Sequence, residues 1–308
     1  MERLNVFELL DEFKDDCELR GMSPGTIERY VSYLRDLGKY MGEQDIKSAD
    51  KETLKGFLDY LRRDRGLCLR TIENSFAAVS CLYGYLEYQN IVQENPVGTV
   101  RKRYLRRYKD NTPINERKLI SVEDMSKLIN STLNIRDKAI ITILAKTGIR
   151  RKELISIDVD DIDWIEQTIK LKPTAKRTNR TVFFDDETAF VLKRWMKIRD
   201  GLNRKKSVAL FLNHESERLA RHGIYDAVVE AAQRIGLHNP ASDRMEDHFS
   251  PHCCRHWFTT HLRRAGMPRE FIQELRGDVR KEAIDIYDHI DKKELRESYL
   301  AHIPQLGI

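Results

Sequence analysis

No run of apolar residues in this 308-residue chain reaches the ~18–20 needed for a bilayer-spanning helix. That speaks against a membrane-spanning helix, and no membrane partner is expected. The opening Met1-Glu2-Arg3-Leu4 lacks the basic-then-apolar build of a signal peptide, so a cytoplasmic location is expected. Cysteine is scarce: Cys17, Cys68, Cys81, Cys253 and Cys254 are scattered, odd in number and form no C-x-x-C pair. Neither a disulfide framework nor a zinc ribbon is indicated, and a reducing compartment suits the chain. Internal repeats and low-complexity tracts are absent. Hydrophobic residues at 41% suffice for packed cores, and the length suits two domains rather than one.

Charge is plentiful but nearly balanced, since Lys+Arg exceed Asp+Glu by only 54 − 49 = 5. Its distribution is more informative. Arg101, Lys102, Arg103, Arg106, Arg107 and Lys109 form one basic group, and Lys170, Lys172, Lys176, Arg177 and Arg180 form a second. Such groups suit a polyanion such as a nucleic-acid backbone, although a solvated linker and a solvated hairpin account for them equally well.

The first hundred residues carry helical periodicity. Leu4 to Leu19 suggests one helix. Ser23-Pro24 then has the form of a helix start, followed by Ile27, Tyr30, Val31, Leu34, Leu37 and Met41. Leu54, Phe57, Leu58 and Leu61 mark a third helix, and Ile72, Phe76, Val79, Tyr83 and Leu86 a fourth, with Asn95-Pro96 ending the run. The predicted division is a helical domain over 1–100, a basic linker over 101–117 and a second domain over 118–308. In the second domain Ser121 with Asp124 suggests a capped helix. An apolar helix around Ile140, Ile141, Leu144 and Ala145 ends at Gly148. Strands are predicted over 168–171 and 181–184 around a polar turn at 173–179. Helices follow over 224–235, 251–265, 269–275 and 292–301.

Two segments carry candidate chemistry. In Ser250-Pro251-His252-Cys253-Cys254-Arg255-His256, Ser250 is placed to cap a helix. His252 and Arg255 share one face, and Cys254, Phe258 and Leu262 form a core face. A His and an Arg at a helix start make a plausible phosphate clamp. A metal reading of these His and Cys residues is weak, because adjacent cysteines on a helix diverge and no second ligand cluster exists. In Thr147-Gly148-Ile149-Arg150-Arg151-Lys152-Glu153, the glycine permits a sharp exit that exposes Arg150, with Glu153 three residues on to hold it.

Taken in order, T-G-x-R-x-x-E, a basic hairpin, H-x-x-R and the Tyr of Ile286-Tyr287-Asp288-His289 resemble the tyrosine recombinases, the lambda-integrase and Xer family. The resemblance extends over nearly the whole chain, including Arg20 to Ile27, Leu67 to Ile72 and Asn95-Pro96-Val97. The ending from Tyr299 to Ile308, with Arg276-Gly277-Asp278, looks most like archaeal integrases. The resemblance implies a mainly α fold with a small β-sheet: a SAM-like helical core-binding domain and an α+β catalytic domain, clamping duplex DNA as a C. It implies Tyr287 as nucleophile forming a 3′-phosphotyrosyl link. Arg150 and Arg255 would grip the scissile phosphate, and His252 would exchange a proton beside it. Lys176, with Lys172 as a rival, would protonate the departing 5′ oxygen, and Glu153 would support the arginines. No cofactor, metal or ATP is implied.

One departure stands out. Nine residues before the nucleophile the family usually carries His or Trp, where this chain has Asp278. A carboxylate only accepts hydrogen bonds, so Asp278 is expected to cap the following helix, 280–287, or to orient Arg255. The implied partners are double-stranded DNA with specific recombination sites, three further copies in a homotetramer on synapsed DNA, and accessory DNA-bending proteins, in a cytoplasmic, nucleoid-associated setting. The apolar tail Ile303, Leu306 and Ile308 is expected to pack on a neighbouring subunit, leaving monomer folding indifferent to its deletion. Two rival readings remain. One is a type IB topoisomerase-like enzyme, against which the SAM-like lobe and apolar tail argue. The other is a DNA-binding protein whose site Asp278 has weakened.

Overall fold

The helical periods of the first hundred residues become five packed helices: α1 (Leu10–Leu19), α2 (Pro24–Met41), α3 (Lys51–Asp59), α4 (Leu69–Tyr88) and α5 (Val97–Tyr104). The computed structural model describes residues 3–105, 119–173, 180–278 and 290–308. The chain divides into two units, Met1–Thr112 and Pro113–Ile308.

In the first unit the residues that set the period are those that are buried. Ile27, Val31, Leu34 and Leu37 of α2 pack with Leu54 and Phe57 of α3 and Ile72, Phe76 and Val79 of α4. Tyr83 donates its hydroxyl to the Ile46 carbonyl at 2.9 Å, so this large aromatic is buried without an unmet polar atom. Three expectations need correction here. The first helix starts at Leu10 rather than Leu4, because Asn5 accepts the Phe7 N–H and holds a turn before it. Ser23 stands at the N-cap of α2 with Pro24 behind it, but its hydroxyl pairs with that of Thr26 at 2.8 Å instead of capping the backbone. Asn95-Pro96 starts a helix rather than ending the run. Asn95 accepts the Val97 N–H, Val97 and Val100 are buried, and Arg101, Lys102 and Arg103 belong to α5 rather than to a linker.

The second unit is built around α7 (Ile135–Thr147), which is buried on all sides from Ala139 to Thr147. Around it pack α6 (Val122–Asn130), α9 (Asp186–Leu202), α10 (Arg221–Arg234) and α11 (Pro251–Arg264). Ser121 caps α6 by accepting the Asp124 N–H, as its sequence suggests. A short α8 (Arg151–Ser156) follows Gly148, and then an antiparallel sheet in the order β1 (Ile162–Asp163), β2 (Thr168–Leu171), β3 (Arg180–Phe183). β2 and β3 pair Ile169 with Val182 and Leu171 with Arg180, so the second strand begins one residue earlier than expected. α9, β1 and α8 are additions to the predicted elements. α12 (Arg269–Arg276) and α13 (Lys292–His302) lie where helices were expected, while the predicted helix over 280–287 and most of the turn at 173–179 lie outside the described residues.

The C-terminal tail packs against its own unit. Ile303 and Leu306 are buried in the core of their own unit, and Tyr299 donates to the Lys146 carbonyl at 3.0 Å. The Glu187 carboxylate accepts the N–H groups of Leu306, Gly307 and Ile308, which fixes the last residues in cis. In the single chain the tail thus docks on its own unit, the alternative to packing on a neighbouring subunit. No helix among the described residues is long and apolar enough to cross a membrane.

Candidate active site

The exit from α7 is built by Gly148, in the left-handed region at φ +61°. A Cβ there would meet the Phe258 ring at 2.3 Å, so both conformation and space require glycine. Freed from α7, the Gly148 carbonyl accepts Arg255 Nη1 at 2.6 Å, which ties the T-G-x-R segment to α11. Arg150 then stands at the N-cap of α8, and Glu153 reaches back to accept its backbone N–H at 2.6 Å.

The two arginine side chains converge. Arg150 Nη1 and Arg255 Nη2 donate to the same carbonyl, that of Arg276, at 3.2 and 2.9 Å. Each also places an Nη2 atom 3.4 Å from Asp278 Oδ1, while Arg276 Nε lies 3.1 Å from Oδ2. The convergence depends on the end of α12, where Gly277 at φ +59° turns the chain so that the Arg276 carbonyl faces both guanidiniums. A cavity of about 220 Å³ opens beside them, lined by Arg150, Arg151, Tyr225, Ser250, His252 and Arg255. His252 and Arg255 thus share the face expected of them, and Cys254, Phe258 and Leu262 form the buried face. Ser250 occupies the N-cap of α11, but its side chain caps no backbone N–H.

Glu153 is buried and carries a second load: Arg180 Nη2 and Nη1 donate to its two oxygens at 2.9 and 3.3 Å. Arg180 was grouped with residues suited to a polyanion, yet its side chain is turned inward. Its role was missed because a basic residue at a hairpin mouth reads as exposed. Lys172 is engaged elsewhere, paired with Asp158, which also takes Arg218. Tyr287, Lys176 and the helix that Asp278 was expected to cap lie outside the described residues, although the carboxylate of Asp278 does face Arg255.

Electrostatics follow from these contacts. Four guanidinium groups (Arg150, Arg180, Arg255 and Arg276) surround two carboxylates (Glu153 and Asp278), an excess of two positive charges. Burial, reinforced by Arg150 and Arg276, pushes Arg255 down from the usual guanidinium range to about 9. Burial also lowers Arg180, opposed by Glu153, and lowers Arg151, which lies over the Tyr225 ring. Such crowding of cations is relieved by an incoming anion, and paired guanidiniums fit the planar, multi-oxygen geometry of a phosphodiester.

Comparison with known proteins agrees with this chemistry. Residues 118–294 match the phage integrase family, and residues 9–93 match the N-terminal SAM-like domain of phage integrases. Tyrosine recombinase XerD of Oceanobacillus iheyensis is 26% identical over 93% of this chain and 94% of its own length. In fold the chain resembles the Tn1549 transposon integrase in complex with transposon right end DNA (TM-score 0.70, 19% identity, 96% and 98% of the two chains). It also resembles a lambda integrase tetramer bound to a Holliday junction (TM-score 0.70, 12% identity, 97% and 79%). The relatives named tyrosine recombinase are bacterial, and the particular nearness to archaeal integrases is not borne out. The chain belongs to the phage integrase family, and its activity is that of a site-specific tyrosine recombinase.

Proposed function

We propose that Tyr287 attacks a phosphodiester held by Arg150 and Arg255, leaving a 3′-phosphotyrosyl link and a free 5′ hydroxyl. The observation that carries this reading is the convergence of Arg150 and Arg255, from distant segments, on one carbonyl and one carboxylate beside a cavity rimmed by His252. The guanidiniums would bind the non-bridging oxygens and stabilise the charge that builds on them in the transition state. A phenol with a usual pKa of ~10 is a poor nucleophile near neutrality, and nearby cations favour its phenolate. His252 would move a proton at the same phosphate, and Glu153 and Asp278 would hold the arginines. Lys176 is favoured as the acid for the 5′ oxygen, because its rival Lys172 is bound to Asp158. The new phosphotyrosyl bond conserves the energy of the old phosphodiester, so resealing needs no ATP.

The partner is double-stranded DNA carrying specific sites. The helical domain at 1–100 and the basic segment at 101–117 would contact its backbone, and the catalytic domain at 118–308 would cut it. Exchange between two duplexes requires four cuts, hence a homotetramer on synapsed DNA. Accessory DNA-bending proteins would assist, in a cytoplasmic, nucleoid-associated setting.

The test is a pool of nicked duplexes with randomised flanks. The full chain should form a denaturant-resistant adduct with one subset, and EDTA should leave the yield unchanged. Tyr287→Phe should bind that subset and form none. An adduct that persists in the variant and maps to another tyrosine sinks the assignment, and loss of cleavage in EDTA sinks the metal-free mechanism. Relaxation of supercoiled plasmid without exchange between two recovered sites would place the chain with the topoisomerase-like enzymes.

A further inference from the structure

Arg180 carries a charge but its side chain is only 8% exposed, so it is poorly placed to touch a DNA backbone. Its Nη atoms are bound to Glu153, and its Nε has no hydrogen-bond partner among the described residues. The Nε sits 2.5 Å from where a Cβ on Gly277 would stand, so Arg180 fills the space that this glycine leaves open. A buried cation of this kind is costly to desolvate, and stability alone gives little reason to prefer it over an apolar side chain.

What Arg180 touches suggests a different use. On one side is the carboxylate that holds the Arg150 backbone N–H. On the other is the turn whose Arg276 carbonyl is shared by Arg150 and Arg255, and whose next residue, Asp278, faces both. Arg180 also pairs with Leu171 at the base of the hairpin. From its place in the hairpin backbone, the Arg180 side chain therefore ties the α8 start to the α12 end. We propose that Arg180 is a positioning residue, setting Arg150 through Glu153 and setting both guanidiniums through the Arg276–Asp278 turn. This rests on the reading of Arg150 and Arg255 as the phosphate grip.

The test uses the nicked duplex that the wild-type chain traps, with four variants: Arg180→Gln, Arg180→Lys, Glu153→Gln and Arg180→Gln combined with Glu153→Gln. For Arg180→Gln the cleavage rate at saturating DNA should fall on the order of 100-fold, the scale of an ångström's misplacement. Its Kd should stay within about twofold of wild type, with an unchanged salt dependence. Arg180→Lys keeps the charge but not the two-pronged grip, so its rate should lie between the two. The double variant should lose less than the sum of the losses in Arg180→Gln and Glu153→Gln, because both single variants break the same Arg180–Glu153 linkage. A weaker Kd with a salt slope reduced by about 0.9, and normal cleavage at saturation, would make Arg180 a phosphate contact and overturn the proposal. Additive losses in the double variant would also overturn it, as would Kd and rate falling together with the folded fraction. If the wild-type chain itself traps no duplex, the reading of the site falls first and the positioning role with it.

Discussion

Replacing Lys146 with Met tests how the second unit holds its C-terminal tail. The Lys146 side chain is fully buried on α7, with Nζ 2.5 Å from both Asp185 and Glu187 and 2.7 Å from the Pro304 carbonyl. Glu187 in turn collects the N–H groups of the last three residues. Methionine is similar in length and apolar, so packing is nearly kept while the cation is lost. Two largely buried carboxylates then face each other without a counter-charge, and removing one member of a buried ion cluster costs about 3–5 kcal/mol. For a unit of about 200 residues, each kcal/mol shifts Tm by roughly 2–4 °C, so a fall of about 6–20 °C is expected. Calorimetry on the full chain reads this transition, and carboxypeptidase trimming reads release of the tail. Adding Asp185→Asn and Glu187→Gln should restore much of the loss, since both amides still accept the cap and tail N–H groups. A Lys146→Met chain that melts within about 2 °C of wild type with its tail still protected would refute the reasoning.

Two further outcomes follow from the site. Gly148→Ala forces a Cβ into the Phe258 ring at positive φ, so it should lower Tm and displace the carbonyl that holds Arg255; melting and adduct yield check both, and a normal yield with an unchanged melt contradicts the account. Arg255, held at about 9 by burial and well below its unfolded value, should lose its proton as pH rises through that value, so cleavage from free enzyme and DNA should fall above pH 9. Once phosphate is bound the anion raises that value again, so the rate within a preformed complex should hold to higher pH. The sign for stability is opposite: above about 9 and up to the ordinary guanidinium value the unfolded chain binds the proton more tightly, so this group's contribution to stability grows with pH. A free-enzyme profile that stays flat through pH 10 would contradict both.

What could be read beforehand follows from how local each signal is. The α2 and α4 faces were legible because their buried residues recur within a few positions of one another. The Gly148 exit was legible because its requirement is written in one residue. α5 was misread because only Val97 and Val100 carry its burial, while Arg101 to Arg103 carry the look of a linker. α9 had a cap in Asp185, which accepts the Thr188 N–H, and an apolar face in Ala189, Leu192 and Trp195, yet no element is predicted between residues 184 and 224. The inward turn of Arg180 depends on Glu153, in another element, and no local pattern announces it. The tail's apolarity implied burial, but whether in cis or in trans depended on Lys146 and Glu187, far away in sequence.

Asp278 remains the departure with the largest chemical consequence. Its Oδ1 lies 3.4 Å from an Nη2 of both Arg150 and Arg255, longer than the ~2.7–2.9 Å of a strong charged hydrogen bond, so it holds each guanidinium only loosely. A phosphate seated between those guanidiniums would be brought close to the carboxylate. Two like charges so close repel each other, which opposes what the two long contacts contribute in orientation. On this reading the carboxylate would act as a stand-in anion that steadies the arginines without DNA and opposes the phosphate with it. Asp278→Asn keeps an acceptor and removes the charge, so cleavage of the trapped duplex should equal or exceed wild type. Asp278→Ala removes the acceptor as well, leaving Arg276 and the guanidinium pair less fixed, and should cleave more slowly than Asn. If Asn is as slow as Ala while both melt like wild type, the charged carboxylate is itself needed in the reaction and the stand-in account fails. A rise with Asp278→His well above that with Asn would mean that a missing hydrogen-bond donor, rather than an excess charge, limits this site.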